Sequence, residues 1–171
     1  MYERCRGPLF RFALHMSGAP EEADEIVQEA FLVLLRRPEA YSEEKGTLVN
    51  FLIGVARNLL RRSRREATDE VSLEEDGVES MVSATQHRES PLDLAVRRQS
   101  SAALQAALLQ VPQSYREVIV LCDLQELSYA ETAMALGIPV GTVRSRLHRG
   151  HLALLDALSR TPMAEKSGVK S

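Results

Sequence analysis

Near the C-terminal end of the chain, Arg144, Ser145, His148 and Arg149 are spaced to share one face of a helix, and their side-chain types suit contact with a nucleic-acid duplex. The planar fork of an arginine matches both the guanine edge and a pair of phosphate oxygens, while serine and histidine add shorter donors and acceptors. A second group, Arg57, Asn58, Arg61, Arg62, Arg64 and Arg65, is dense enough to neutralise several phosphates. Just upstream, the loop holding Tyr41 and Lys45 sets an aromatic ring and amide donors beside that basic segment, a combination able to hold an unstacked base. Each group also has an ordinary structural reading. Arginines commonly occupy solvated helix faces, and cations favour helix C-terminal ends.

The elements that must position these groups read as helices throughout. Ser128 and Glu131 have the spacing of a capping box, Gly137 supplies a left-handed stop, and Pro139 and Gly141 are placed in a turn. Val143, Leu147, Leu154 and Leu158 then repeat as a core stripe, which completes a helix-turn-helix. Upstream, a first helix is expected from about Pro8 to Ser17, ending at Gly18. A second starts at Pro20, with Glu21 and Glu22 in its first turn, and carries Ile26, Val27, Ala30, Phe31, Leu34 and Leu35 as an apolar stripe. Its polar side holds Asp24, Glu25, Gln28 and Glu29. A polar loop leads to a third helix from about Thr47 to Arg65, with Phe51, Leu52, Val55, Ala56 and Leu59 apolar. Further helices are expected from Pro91 to Val111 and from Tyr115 to Leu124. No segment alternates with period two between hairpin turns, so the fold class is all-α.

Between the helical blocks the apolar pattern dissolves into Asp69, Glu70, Glu74, Glu75, Asp76 and Glu79. Such a stretch has too little apolar surface to offset the entropy of ordering it. The expected organisation is therefore two small helical domains, 1–66 and 91–160, joined by a flexible acidic linker over 67–90 and followed by a frayed tail over 161–171. The blocks are expected to move independently. The formal net charge is −3 across 171 residues, unusual for a chain that binds nucleic acid, but the opposite charges are segregated by region. Cys5 and Cys122 have no disulfide or metal spacing, and no stretch is long enough for a membrane span, which points to a reducing cytoplasm. His148 and His151 stand three apart, a spacing able to hold a metal, but no third ligand is placed nearby. No nucleophile triad, phosphate loop or metal cluster is present, so neither catalysis nor a cofactor is expected.

Several blocks, taken in order, resemble a known family. Ala23 to Leu35, Tyr41 to Arg62, the acidic linker, Val111 to Leu121 and Leu127 to Gly150 together look like a bacterial sigma factor of the extracytoplasmic-function class. The resemblance implies a transcription initiation factor that binds core RNA polymerase and directs it to promoter DNA. It makes Asp24, Gln28 and Phe31 candidates for docking on the polymerase. It assigns Tyr41, Lys45, Asn58, Arg61 and Arg62 to the non-template strand of the proximal (−10) element. It places Thr142, Arg144, Ser145, His148 and Arg149 nearest the bases of the distal (−35) element, read as duplex. It also implies an anti-sigma partner, with the free factor a monomer that does not insert into a membrane. The family commonly carries tryptophan in the basic-helix segment, where this chain has Phe51 and no tryptophan at all. Two other readings compete: an operator-binding helix-turn-helix regulator that does not dock on polymerase, and a helical protein-interaction module. The first would need a ligand or receiver domain, and the second leaves the recognition-helix arginines unexplained.

Overall fold

The computed structural model describes residues 1–69 and 91–160, and every regular element among them is helical. Seven helices follow in order: α1 (Tyr2–Ser17), α2 (Pro20–Arg36), α3 (Leu48–Asp69), α4 (Pro91–Gln110), α5 (Gln113–Ile119), α6 (Tyr129–Leu136) and α7 (Val140–Arg160). Helices α1 to α3 pack as one group and α4 to α7 as another, two small all-α domains. Most of the linker and the whole tail lie outside the described residues. Residues 67–69, expected to open the linker, continue α3 instead.

Helix α1 begins six residues before its expected start, so Pro8 lies inside it rather than at its first position. An internal proline removes one backbone hydrogen bond, but the longer helix adds buried Cys5 to the stripe of Leu9, Phe12 and Met16. Gly18 stops it at φ +77°, with its amide donating to the Leu14 carbonyl. A side chain there would be strained and would also collide with Leu109, whose Cδ1 lies 2.7 Å from the place of a Cβ. Helix α2 opens at Pro20 as expected and buries Ala23, Ile26, Val27 and Ala30. Leu35, expected in the core stripe, is 75% exposed, since the helix turns it away from α1 and α3. The loop that follows contains two short 3₁₀ turns, Pro38–Ala40 and Glu43–Lys45, and the Thr47 hydroxyl accepts from the Asn50 amide at the start of α3.

In the second group, α5 passes into a π turn over Val120–Leu124, so the segment expected as one helix to Leu124 changes pitch after Ile119. The capping box of α6 forms as read: Ser128 Oγ accepts from the Glu131 amide and the Glu131 carboxylate accepts from the Ser128 amide. Gly137 is left-handed at φ +64°. Gly141 does not lie in the turn; it belongs to the first turn of α7, where Pro139 accepts from the Thr142 and Val143 amides. The buried stripe of α7 is Val143, Leu147, Gly150 and Ala157, with Leu154 only partly buried, and Leu158 is replaced in the core by its neighbour.

The two groups touch one another in this structure. Helix α3 packs on α6, and α1 packs on α4 and α5. Between α1 and α4, Gln105 donates from Nε2 to the His15 carbonyl, which turns its Oε1 toward His15 Nδ1 at 2.8 Å; Nδ1 therefore carries the hydrogen. Burial holds the His15 pKa below its usual value, the Gln105 hydrogen bond opposes this, and the charge on Arg11 adds to it. With the folded pKa depressed, the unfolded chain binds more protons as pH falls through and below about 6.5, so the contribution is fullest above that pH and declines with acidification. The expected result is a thermal midpoint that falls between pH 7.5 and pH 5, and falls less in His15→Gln. Parallel pH profiles for the two proteins would show that His15 is not responsible.

Candidate nucleic-acid and polymerase interfaces

Arg144, Ser145, His148 and Arg149 all stand exposed on the outer face of α7, and Thr142 is half-buried at its start. The stripe that turns inward, Val143, Leu147 and Gly150, fixes this face by helical geometry alone. Arg144 lies over the Tyr129 ring of α6, 5.7 Å from its centroid, which limits the rotamers of its guanidinium. Ser145 Oγ donates to the Thr142 carbonyl at 3.1 Å, leaving its lone pairs as acceptors. Arg146 turns inward and is half-buried. His151 pairs with Asp123 at 2.5 Å, and among the described residues no group of three metal-ligating side chains occurs.

Tyr41, Lys45 and Asn58 come together around a groove of about 360 Å³, with the ring of Phe51 5.7 Å from that of Tyr41. The loop supplies the first two and α3 supplies Asn58 and Phe51. Arg61 and Arg62 are not part of this groove. Arg62 points to another side of α3 and pairs with Glu66 at 2.8 Å, whose hydrogen bond and charge raise its pKa. Arg61 lies one turn beyond Arg57, and both face a carboxylate of the second group. Glu117 on α5 is fully buried, with Oε2 2.9 Å from Arg57 Nε and Oε1 3.4 Å from Arg61 Nε, the latter an ion-pair contact without a hydrogen bond. Arg57 also donates to the Leu136 carbonyl at 2.8 Å. The far wall of the groove is Met134, Ala135, Leu136 and Gly137.

Arg64, read as a candidate phosphate ligand, donates instead to the Met16 carbonyl at 2.6 Å and to Gln113. Arg116 is buried and donates to the carbonyls of Met16, Leu109 and Val111. Two guanidinium groups thus serve the C-terminal end of α1, where partial negative charge accumulates. Burial lowers the Arg116 pKa to about 10, with a further lowering from Arg64 and an opposing effect of Glu117, so it remains a cation at neutral pH. Neither Glu117 nor Arg116 had been singled out in the sequence. The available signal was a charged pair directly before the apolar run Val118 to Leu121, a position where an acid is buried only with a partner.

On α2, Asp24 and Phe31 are half-buried and Gln28 is exposed, all along one side. Asp24 stands 3.7 Å from Arg6, and the Phe31 ring rests against Tyr2. Exposed Leu32 and Leu35 extend the same side with apolar surface that periodicity alone had assigned partly to the core.

Comparison with known proteins assigns both groups. Residues 1–70 match the Sigma-70 region 2 family and residues 101–154 match Sigma-70, region 4. The ECF RNA polymerase sigma factor SigW of Bacillus subtilis is 33% identical over 155 residues, which cover 88% of this chain and 82% of that protein. The chain belongs to the extracytoplasmic-function (ECF) sigma factors. Another relative, ECF sigma factor SigE of Mycolicibacterium smegmatis, is 33% identical over 89% of this chain; the match spans 58% of that longer protein. ECF sigma factors are promoter-directing transcription initiation factors, and the two matched regions are those of the sigma-70 family. The fold is shared with two solved structures. Sigma factor RpoE in complex with anti-sigma factor NepR from Bartonella quintana superimposes with a TM-score of 0.68 at 21% identity, over 94% of this chain and 95% of that one. CnrH in complex with the cytosolic domain of CnrY gives 0.63 at 20% identity, over 94% and 86%. Among the described residues, no helix of this ECF sigma factor is long and apolar enough to cross a membrane.

Proposed function

We propose that this sigma factor docks on core RNA polymerase through Asp24, Gln28 and Phe31 of α2 and reads the distal promoter element with α7. Thr142, Arg144, Ser145, His148 and Arg149 enter the major groove, while Tyr41, Lys45 and Asn58 receive the unstacked non-template strand of the proximal element. Arg61 and Arg62 contribute charge along the strand rather than base contact. The observation that carries this reading is the contiguous outward face of Arg144, Ser145, His148 and Arg149 on a helix whose opposite side is core. The factor works in the cytoplasm as a monomer when free, performs no catalysis and needs no cofactor. Because RpoE was solved with the anti-sigma factor NepR, we assign this chain an anti-sigma partner as well. An operator-binding regulator gains nothing from a region 2 domain and is not favoured.

The test combines core polymerase binding with run-off transcription from a promoter library. Asp24→Ala with Gln28→Ala is expected to weaken holoenzyme formation and leave duplex recognition intact. Arg144→Ala and Arg149→Ala are expected to leave holoenzyme formation intact. An arginine bidentate to guanine costs about 1–3 kcal/mol of sequence discrimination on truncation, whereas a phosphate contact weakens all duplexes alike. Unchanged polymerase binding by the α2 variant, or unchanged promoter choice and affinity in both α7 variants, refutes the corresponding assignment.

A further inference from the structure

Arg144 and Arg149 are both exposed on the outer face of α7, but they are held differently. Arg144 rests on the Tyr129 ring, whereas no ring or carboxylate among the described residues holds Arg149. We propose that Tyr129, which lies on α6 outside the recognition helix, is a positioning residue for promoter discrimination: its ring keeps Arg144 aimed at one base pair of the distal element. The inference rests on the proposed reading of α7 as the helix that enters the major groove. Tyr129 is the first residue of α6, directly after Ser128, and the reciprocal hydrogen bonds of Ser128 and Glu131 fix the backbone from which its ring projects. Gly137, left-handed at φ +64°, then allows the turn that brings Arg144 of α7 to that ring. Tyr129 is 41% exposed and its hydroxyl makes no hydrogen bond among the described residues, so it serves neither the core nor a buried polar network.

An aromatic partner suits this task better than an acidic one. A carboxylate in the same place would take the guanidinium donors in a bidentate pair, the very donors that a guanine edge requires. A ring face attracts the charge and leaves most of the five N–H groups free. Arginine has many rotamers to lose on binding, and a side chain already restricted loses fewer of them at the base edge. Restriction also gives direction: an unrestrained arginine reaches a phosphate of any sequence as readily as a base, and an aimed one does not. Beside it, Ser145 Oγ donates to the Thr142 carbonyl at 3.1 Å, so that hydroxyl meets DNA as an acceptor. The start of α7 therefore sets an aimed donor next to an acceptor, while Arg149, further along the helix, lacks such a hold and provides the internal comparison.

The test uses holoenzyme assembled with the full chain, and fluorescein-labelled duplexes carrying the promoter that the library selects, together with every single base-pair change in its distal element. Discrimination is the affinity ratio of the selected duplex to a changed one, read by anisotropy. The pair whose ratio falls in Arg144→Ala is the pair that Arg144 reads. Tyr129→Leu is expected to lower the ratio at that pair about two- to five-fold, the range of an exposed cation–π contact, and to leave the other ratios unchanged. Tyr129→Phe keeps the ring and is expected to match the parent. The loss caused by Tyr129→Leu is expected to vanish in an Arg144→Ala background and to persist in an Arg149→Ala background. Parent-like ratios in Tyr129→Leu, an equal loss in Tyr129→Phe, or a loss that persists without Arg144 overturns the inference and leaves the recognition-helix reading in place. A uniform loss of affinity in Arg144→Ala with every ratio kept makes that residue a phosphate ligand and overturns the inference alone. Unchanged promoter choice and affinity in both Arg144→Ala and Arg149→Ala overturn the recognition-helix reading, and the inference with it. Helix content and thermal midpoint of the free chain are checked in parallel; should leucine disturb them, Tyr129→Met, also without a ring, takes its place.

Discussion

Replacing Arg116 by methionine should destabilise the chain by about 3–5 kcal/mol, the usual cost of leaving buried polar partners without their charge. Arg116 is 4% exposed and donates to three carbonyls, those of Met16 at the end of α1, Leu109 near the end of α4 and Val111 just beyond it. Met16 keeps its bond from Arg64, but Leu109 and Val111 have no replacement donor from that side chain. Methionine fills most of the volume, so the loss is one of hydrogen bonds rather than of packing. Lysine should recover only part of it, because a compact ammonium on a single stem cannot span three acceptors arranged for a planar fork. Thermal and urea unfolding of the two variants measure this directly. A methionine variant within about 1 kcal/mol of the parent would mean that the three carbonyls are served by water as well as by the guanidinium.

At Gly150, leucine is expected to abolish duplex recognition although the residue lies on the side of α7 away from the proposed DNA face. A Cβ there would stand 3.0 Å from Ile119 Cδ1 and 3.3 Å from Tyr115 Cβ, and Ile119 is itself buried. The three further carbons of leucine have no space without moving α7 off α5. Overpacking of this kind costs about 1–3 kcal/mol or more, and the displaced helix carries Arg144 to Arg149 with it. Alanine separates sterics from flexibility. It asks Ile119 to yield by a few tenths of an ångström, and it gains about 1 kcal/mol of helix propensity over glycine, so the two effects nearly cancel. The expected series is a stable alanine variant with retained duplex binding and a leucine variant with a lowered thermal midpoint and none. Full duplex binding by the leucine variant would show that α7 is not seated by this contact.

These two positions illustrate different kinds of legibility. Ser128 with Glu131, Gly137 and the arginine face of α7 were readable because each depends on neighbours within a turn or two, and their local geometry carries directly into the fold. Pro20, Gly18 and the apolar stripe of α2 belong to the same class, as does the all-helical character of the chain. Pro8 misled for a local reason: its preference for a first helical position was outweighed by burial of Cys5 on the same stripe as Leu9. Leu35 and Leu158 misled because a period gives a stripe but not how far the partner helices extend along it.

What the residues alone determined was the inventory: helical blocks, their caps, a recognition helix and a basic α3 with an aromatic loop before it. Only the tertiary structure decided how those charges are spent. Arg57 and Arg61 face Glu117 some sixty residues away, and Arg64 and Arg116 converge on one carbonyl of α1. The sequence also left open that α6 covers the groove of Tyr41, Lys45 and Asn58. A one-dimensional pattern records the sign and spacing of charges, but their pairing depends on which helix ends and faces meet in space, and that is set by the packing of the whole core.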